Sequence, residues 1–282
     1  MAFPHAEVIG DPIAHSKSPV IHRFWLEKLG LRGDYVRTRV REEGLLDFFE
    51  KRRDDPDWRG CNVTVPHKRA VRPLLDVIDR YAARLGAVNT VVAEDGKLHG
   101  YNTDGPGFVE PLRPLLRQPH LFRMARLFGT GGAARAIAHA LADEGFTLVV
   151  IGRSRDKAEA IAAELAGEHH VATLDHFAEP TDFVFDDRAG ILDLVVNATT
   201  LGMGGSAPLP LDFSHVPPGA VVYDIVYAPL ETPLLAEARA RGLSTIDGLA
   251  MLIGQAAEAF ARFFGKPPPR QHDAELRALL TR

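Results

Sequence analysis

Short apolar runs alternate with longer amphipathic stretches along this chain. Residues 6–9 read as a first strand. Ser18-Pro19 then opens a helix, with serine as N-cap and proline in the first helical position. Ile21, Trp25 and Leu29 recur at helical spacing, and Gly30 stops the run. Residues 35–40 alternate as a second strand, and residues 44–53 form a helix with Leu45, Leu46, Phe48 and Phe49 inward. Residues 61–65 are a third strand, in which Val63 and Val65 alternate with Asn62 and Thr64 and Thr64 points toward a cleft. Pro66 ends that strand by removing a ladder donor. Two further strands, at 86–92 and 97–100, flank the hairpin turn signal Glu94-Asp95-Gly96. Strands alternating with helices predict an α/β fold, a sheet covered by helices.

After an irregular, proline-marked connection around residues 115–124, the pattern resumes with a short strand at 126–128. It enters Gly129-Thr130-Gly131-Gly132-Ala133-Ala134, which opens a helix running to about Gly145, and residues 147–151 form the next strand. A G-x-G-x-x-A turn between strand and helix is the dinucleotide fingerprint. Its glycines permit a tight turn, and the helix N-terminus offers free N–H groups to a pyrophosphate. The second strand ends in Gly152-Arg153-Ser154-Arg155-Asp156-Lys157 rather than in an acid. Three cations and a hydroxyl suit a ribose 2′-phosphate, so the pattern favours NADP(H) over NAD. Later strands fall at 171–174, 192–196 and 221–226, and later helices at 232–241, after Gly248 and at 273–281.

Polar residues at strand and helix ends are the candidates for chemistry. Lys68 follows the Pro66 strand end. Asn89 interrupts an apolar strand, so its amide must be hydrogen-bonded or face a cleft. Asp104 stands near a helix start, where capping alone would account for it. Ser16 and Ser18 sit beside a helix N-terminus and together can hold an anion such as a carboxylate. Tyr227 closes a strand as either a core tyrosine or a polar handle, and Gln255 on an apolar helix face is either a buried polar group or a cleft residue.

Composition narrows the classes. The chain has 282 residues, 46% hydrophobic and 25% charged, with a net charge of −4. That length suits two domains, and the charge argues against nucleic acid as the main partner. No run approaches the roughly 20 apolar residues of a membrane span, and no export signal stands at the start. Cys61 is the only cysteine and the twelve histidines show no ligand spacing. No disulfide framework or metal site is expected, and a cytoplasmic setting fits.

Taken together, the runs from Gly10 to Pro19, Asn62 to Lys68, Gly86 to Thr90, Tyr101 to Gly105, Gly129 to Arg135, Asn197 to Met203, Asp224 to Leu235 and Gly248 to Gln255 resemble the shikimate dehydrogenase family. The resemblance implies a discontinuous substrate-binding α/β domain (residues 1–105 and 242–282) and a Rossmann-type, doubly wound NADP-binding domain (106–241). It implies reversible NADPH-dependent reduction of 3-dehydroshikimate to shikimate, a step of chorismate and aromatic amino acid biosynthesis, by a monomer or homodimer. Lys68 and Asp104 would be the catalytic pair. Ser16, Ser18 and Tyr227 would hold the substrate carboxylate, and Thr64, Asn89 and Gln255 its ring hydroxyls. Gly129, Thr130, Gly131, Gly132, Ala133, Arg153, Ser154 and Lys157 would bind the cofactor, with Ile225 and Gly248 near the nicotinamide. Thr130 stands where the family usually has alanine, and Gly152 where it often has asparagine. A relative acting on quinate or an aminated ring would keep the same pair, and a non-catalytic NADPH sensor of this fold would be expected to lose Lys68 or Asp104.

Overall fold

The computed structural model describes residues 3–186 and 188–281. In chain order the elements are β1 (His5–Gly10), α1 (Ser18–Lys28), β2 (Asp34–Arg39), α2 (Leu45–Arg53), β3 (Trp58–Val63), β4 (Val77–Ile78), α3 (Arg80–Leu85), β5 (Thr90–Glu94), β6 (Lys97–Tyr101), α4 (Asp104–Val109) and α5 (Arg113–Leu116). They continue with β7 (Phe122–Phe128), α6 (Gly132–Asp143), β8 (Thr147–Gly152), α7 (Arg155–Ala162), β9 (His170–Thr173), α8 (Leu174–Ala178), β10 (Ile191–Asn197), β11 (Val221–Asp224), α9 (Pro233–Ala240), β12 (Ser244–Ile246), α10 (Gly248–Phe264) and α11 (Asp273–Leu280). The chain divides into two compact units, Met1–Gly107 with Ile253–Arg282, and Phe108–Leu252. The family resemblance implied joints at 105/106 and 241/242. The later second joint follows from β12, which pairs with β11 and so extends the second unit's sheet.

The first unit is built on a mixed sheet in the order β2-β1-β3-β5-β6-β4. β1 runs parallel to β2 and β3, whereas β5 is antiparallel to both β3 and β6. The β5–β6 hairpin turns through Asp95 (φ 50°) and Gly96 (φ 73°), the two left-handed residues such a turn demands. On one side of the sheet, Trp58, Phe49, Val63 and Val91 form a core. On the other, His22 stacks on Tyr35 with centroids 3.9 Å apart, and Trp25, Phe260 and Phe263 enclose it. Burial there lowers the His22 pKa to about 3, so the ring stays neutral.

Four local expectations are corrected. Ser18 is not the N-cap of α1: that place falls to Lys17, without a side-chain bond, and Ser16 Oγ accepts the Ser18 N–H at 3.3 Å. β3 stops at Val63 and leaves Val65 69% exposed, because the chain turns there: the Thr64 carbonyl accepts the His67 N–H at 2.9 Å. Leu46 is 53% exposed, since the helical period places Leu45 and Phe49 inward and turns their neighbour about 100° away. The strand expected at 86–92 begins only at Thr90. Gly86 (φ 62°) instead closes α3, a helix too short to leave a periodic signal, whose N-terminus is capped by Asp79.

The second unit holds a parallel sheet in the order β12-β11-β10-β7-β8-β9. This is the doubly wound order that reverses between β7 and β10. Its strands are buried on both faces, which is why they read as nearly continuous apolar runs. Leu127, Val150, Leu194 and Tyr223 face one core, while Phe128, Ile151, Val195 and Val222 face the other. No described helix is long and apolar enough to cross a membrane.

Candidate active site

Lys68 lies in the turn that follows β3, and its carbonyl accepts the Val88 N–H at 2.8 Å. Its half-buried ammonium donates to Asp104 Oδ2 at 2.5 Å. Asp104 is the first residue of α4, and its side chain does not cap that helix. Its other oxygen accepts from Asn89 Nδ2 at 2.8 Å, and its N–H is held by Asn102 Oδ1 at 3.0 Å. Asn89 is buried and fully engaged: Nδ2 also reaches Thr103 Oγ1 at 3.1 Å, and Oδ1 accepts the Thr103 N–H at 2.8 Å. Of the two readings open for Asn89, this geometry supplies the hydrogen-bonded one. An ammonium on a carboxylate that a buried amide holds in place is a poised proton donor.

Ser16 Oγ donates to Ser18 Oγ at 3.2 Å, so the two hydroxyls form one cluster at the start of α1. Thr64 is half-buried, and its γ-methyl fills the space beside Gly10, where a Cβ would lie 2.6 Å away. Gln255 lies in the first half of α10. A Cβ on Gly107 would meet the Gln255 backbone nitrogen at 2.3 Å, so only glycine lets α4 approach α10 this closely. Gly107 carried no signal in the sequence.

In the second unit, Gly129 follows β7 at φ 125°, and a Cβ there would lie 2.7 Å from the Ala198 carbonyl at the end of β10. Glycine is therefore required at the point where the strand order reverses. Nothing stands within 4 Å of a Cβ built on Gly131 or Gly132, which leaves the N-terminus of α6 open. Beside this turn lies a cavity of about 620 Å³ lined by Gly129, Thr130, Gly131, Arg153 and Lys157 among others. Arg155 pairs with Glu159 at 2.8 Å, whereas Arg153 and Lys157 have no acid partner among the described residues. Ser154 caps α7, accepting the Lys157 N–H at 3.4 Å. Thr130 fills the room above Gly152, where a Cβ would lie 2.7 Å from the threonine methyl, so the residues at 130 and 152 complement each other.

Gly132, Ala133, Ser154, Ile225 and Gly248 do not line the cavity. Gly248 instead packs on the backbone after β11, where a Cβ would lie 2.4 Å from the Ile225 carbonyl. Tyr227 is half-buried beyond β11, and burial raises its phenol pKa, keeping it a neutral hydroxyl. Thr199 and Thr200 line the cavity from the loop after β10, a strand end of the kind that binds ligands in open α/β sheets. Leu174 and Pro210 also line it and had no local signal. Among the described residues no group of histidine, cysteine and acidic side chains could hold a metal ion.

The doubly wound sheet, its glycine turn at the switch point and the unpaired cations beside it define a two-unit α/β protein with a Rossmann-type dinucleotide-binding unit. Residues 8–91 match the model of the shikimate dehydrogenase substrate binding domain, and residues 248–275 that of the shikimate 5'-dehydrogenase C-terminal domain. The chain is 50% identical over 281 residues to the shikimate dehydrogenase (NADP(+)) of Sphingopyxis alaskensis, covering 99% of this chain and 97% of that one. A crystal structure of a shikimate dehydrogenase in complex with NADP+ superposes with a TM-score of 0.87 at 33% identity, covering 99% of this chain and 96% of that one. The Thermus thermophilus shikimate 5-dehydrogenase, in complex with NADP(H) and shikimate, gives 0.83 at 36% identity, covering 98% and 99%. The chain belongs to the shikimate dehydrogenase family.

Proposed function

We propose that this chain catalyses the reversible NADP(H)-dependent interconversion of 3-dehydroshikimate and shikimate, a step of chorismate and aromatic amino acid biosynthesis. The observation that carries this reading is the Lys68 ammonium seated 2.5 Å from an Asp104 carboxylate that Asn89 holds in place. The first unit takes the substrate and the second the dinucleotide. Gly129, Gly131 and the open N-terminus of α6 receive the pyrophosphate, and Arg153 and Lys157 receive the 2′-phosphate. When bound, NADPH supplies the hydride for the ketone carbon. Lys68 gives its proton to the ketone oxygen, and its charge stabilises the developing alkoxide. Asp104 orients Lys68, and Ser16 and Ser18 hold the substrate carboxylate. In the oxidative direction Lys68 accepts the proton, so the neutral amine is the working form and the rate rises with pH.

Steady-state assays of the purified chain test this. We expect kcat/KM at least about tenfold higher for shikimate than for quinate, and for NADP+ than for NAD+. Tight NADPH binding without turnover of either acid would favour a sensor and sink the proposal. Arg153→Ala should raise KM for NADP+ about tenfold while leaving kcat and the weak use of NAD+ nearly unchanged. An equal loss with both cofactors would mean that Arg153 does not read the 2′-phosphate.

A further inference from the structure

A second set of polar side chains lies buried behind Asn89, inside the first unit. Tyr35 Oη donates to Asn62 Oδ1 at 2.6 Å. Asn62 Nδ2 donates to Thr90 Oγ1 at 3.0 Å, and Thr90 Oγ1 donates to Asn89 Oδ1 at 2.9 Å. Asn62 and Thr90 are direct cross-strand partners of β3 and β5, so the sheet register itself fixes that link. Tyr35, Asn62, Asn89 and Thr90 are all buried. At one end Asn89 meets Asp104 and Lys68. At the other end stands the Tyr35 hydroxyl, whose ring is stacked on His22.

The direction of these bonds is fixed by backbone groups that can play only one part. Asn62 Nδ2 also faces the Asn89 carbonyl at 3.3 Å, which can only accept. Its Oδ1 must therefore face Tyr35 and take the phenolic proton. The Thr103 N–H can only donate, and it donates to Asn89 Oδ1, so Asn89 must turn its Nδ2 toward Asp104. Thr90 accepts from Asn62, which leaves its own proton for Asn89. From Tyr35 to Asp104 every donor points the same way, and the series ends on the carboxylate that holds Lys68. Apolar side chains at 35, 62 and 90 would leave the Asn89 oxygen without its Thr90 donor and loosen the amide that fixes Asp104.

We propose that Tyr35, Asn62 and Thr90 are positioning residues for the reaction, holding Asn89, and through it the Lys68/Asp104 pair, by one unidirectional series of hydrogen bonds. This rests on the assignment of Lys68 and Asp104 made above. The three residues touch no reacting atom and act through Asn89. The experiment is steady-state shikimate oxidation with NADP+ by the wild-type chain and by Thr90→Val, Thr90→Ser and Tyr35→Phe, each first shown to be folded by cooperative thermal unfolding. Thr90→Val is expected to lower kcat about tenfold with KM for NADP+ unchanged, and Thr90→Ser, which keeps the hydroxyl, to stay within about twofold of wild type. A folded Thr90→Val with wild-type kcat, or a Thr90→Ser as slow as Thr90→Val, overturns the proposal. Tyr35→Phe decides the matter if Thr90→Val does not fold. It is expected to lower kcat a few-fold with KM for NADP+ unchanged, and a wild-type kcat overturns the proposal. An active wild type with unaffected variants defeats this inference alone, whereas a wild type without turnover defeats the proposed function as well.

Discussion

Asp104 in the first unit and Asp224 in the second are held by nearly the same set of groups. Each is buried, and each accepts from an asparagine amide, at 2.8 Å from Asn89 and 3.0 Å from Asn197. Each asparagine is oriented by a backbone N–H on its own oxygen, that of Thr103 at 2.8 Å and that of Thr199 at 3.1 Å. The difference lies on the far oxygen. Asp104 meets the Lys68 ammonium at 2.5 Å, and Asp224 meets the Thr232 hydroxyl at 2.7 Å. Burial raises the Asp224 pKa, and no cation pairs with it among the described residues. Thr232 is the N-cap of α9, so Asp224 ties β11 to a helix start and to its cross-strand neighbour Asn197. On the function proposed above, the same positioning kit serves chemistry in one unit and architecture in the other. A half-buried cation on the acid separates the two cases; burial of the acid does not.

Removing that cation should give the largest effect. Lys68→Ala is expected to cut kcat by about 10²–10⁴, measured as shikimate oxidation at saturating substrates. A kcat within a few-fold of wild type would erase the distinction drawn here. Asp104→Asn keeps the shape and removes the charge, and should lower kcat by about 10–10². Combined with Lys68→Ala it should add little, because the two act as a unit; full additivity in the double variant would show that they do not. Asp224→Asn should leave kcat within about threefold, as expected of a tether.

The smallest effect concerns pH. The raised folded pKa of Asp224 means that, between its unfolded and folded values, the native state binds more protons than the unfolded one. Burying the charge therefore costs stability above the folded pKa, and that cost is relieved as pH falls toward the ordinary carboxyl value near 4. Against Asp224→Asn, neutral throughout, the wild type should gain stability between pH 7 and pH 4 in urea unfolding. A constant difference across that range would mean that Asp224 is not strained by its burial.

The second unit was the more legible in the sequence. A sheet buried on both faces writes long apolar runs, and Gly129 answers to a local need, close passage of the Ala198 carbonyl, that marks the turn. The extra edge strand β12 escaped because three residues are too short for a period. In the first unit Lys68, Asn89 and Asp104 stood out as polar residues at strand and helix ends, and the structure places them in mutual contact. Thr90 did not stand out, since a threonine in a strand is ordinary and its value lies in pairing with Asn62 across the sheet. Gly107 and Leu174 were silent for a related reason. What each does depends on a neighbour distant in sequence, Gln255 for the one and the cavity wall for the other. Val65 misled because alternation continued past the point where the backbone turned away.

The first unit is interrupted in the chain, and this bears on how the protein is made. Phe260 and Phe263, which close the cluster around His22 and Tyr35, lie more than 220 residues downstream of those partners. During synthesis the entire Phe108–Leu252 unit leaves the ribosome before they do. The nascent chain therefore carries Lys68 and Asp104 on a scaffold whose aromatic wall is still open, beside a second unit with all its residues already in hand. Ribosomes that stop just past Leu252 would release a chain able to complete only its second unit, with Trp25 and Tyr35 left bare for chaperones and proteases to find.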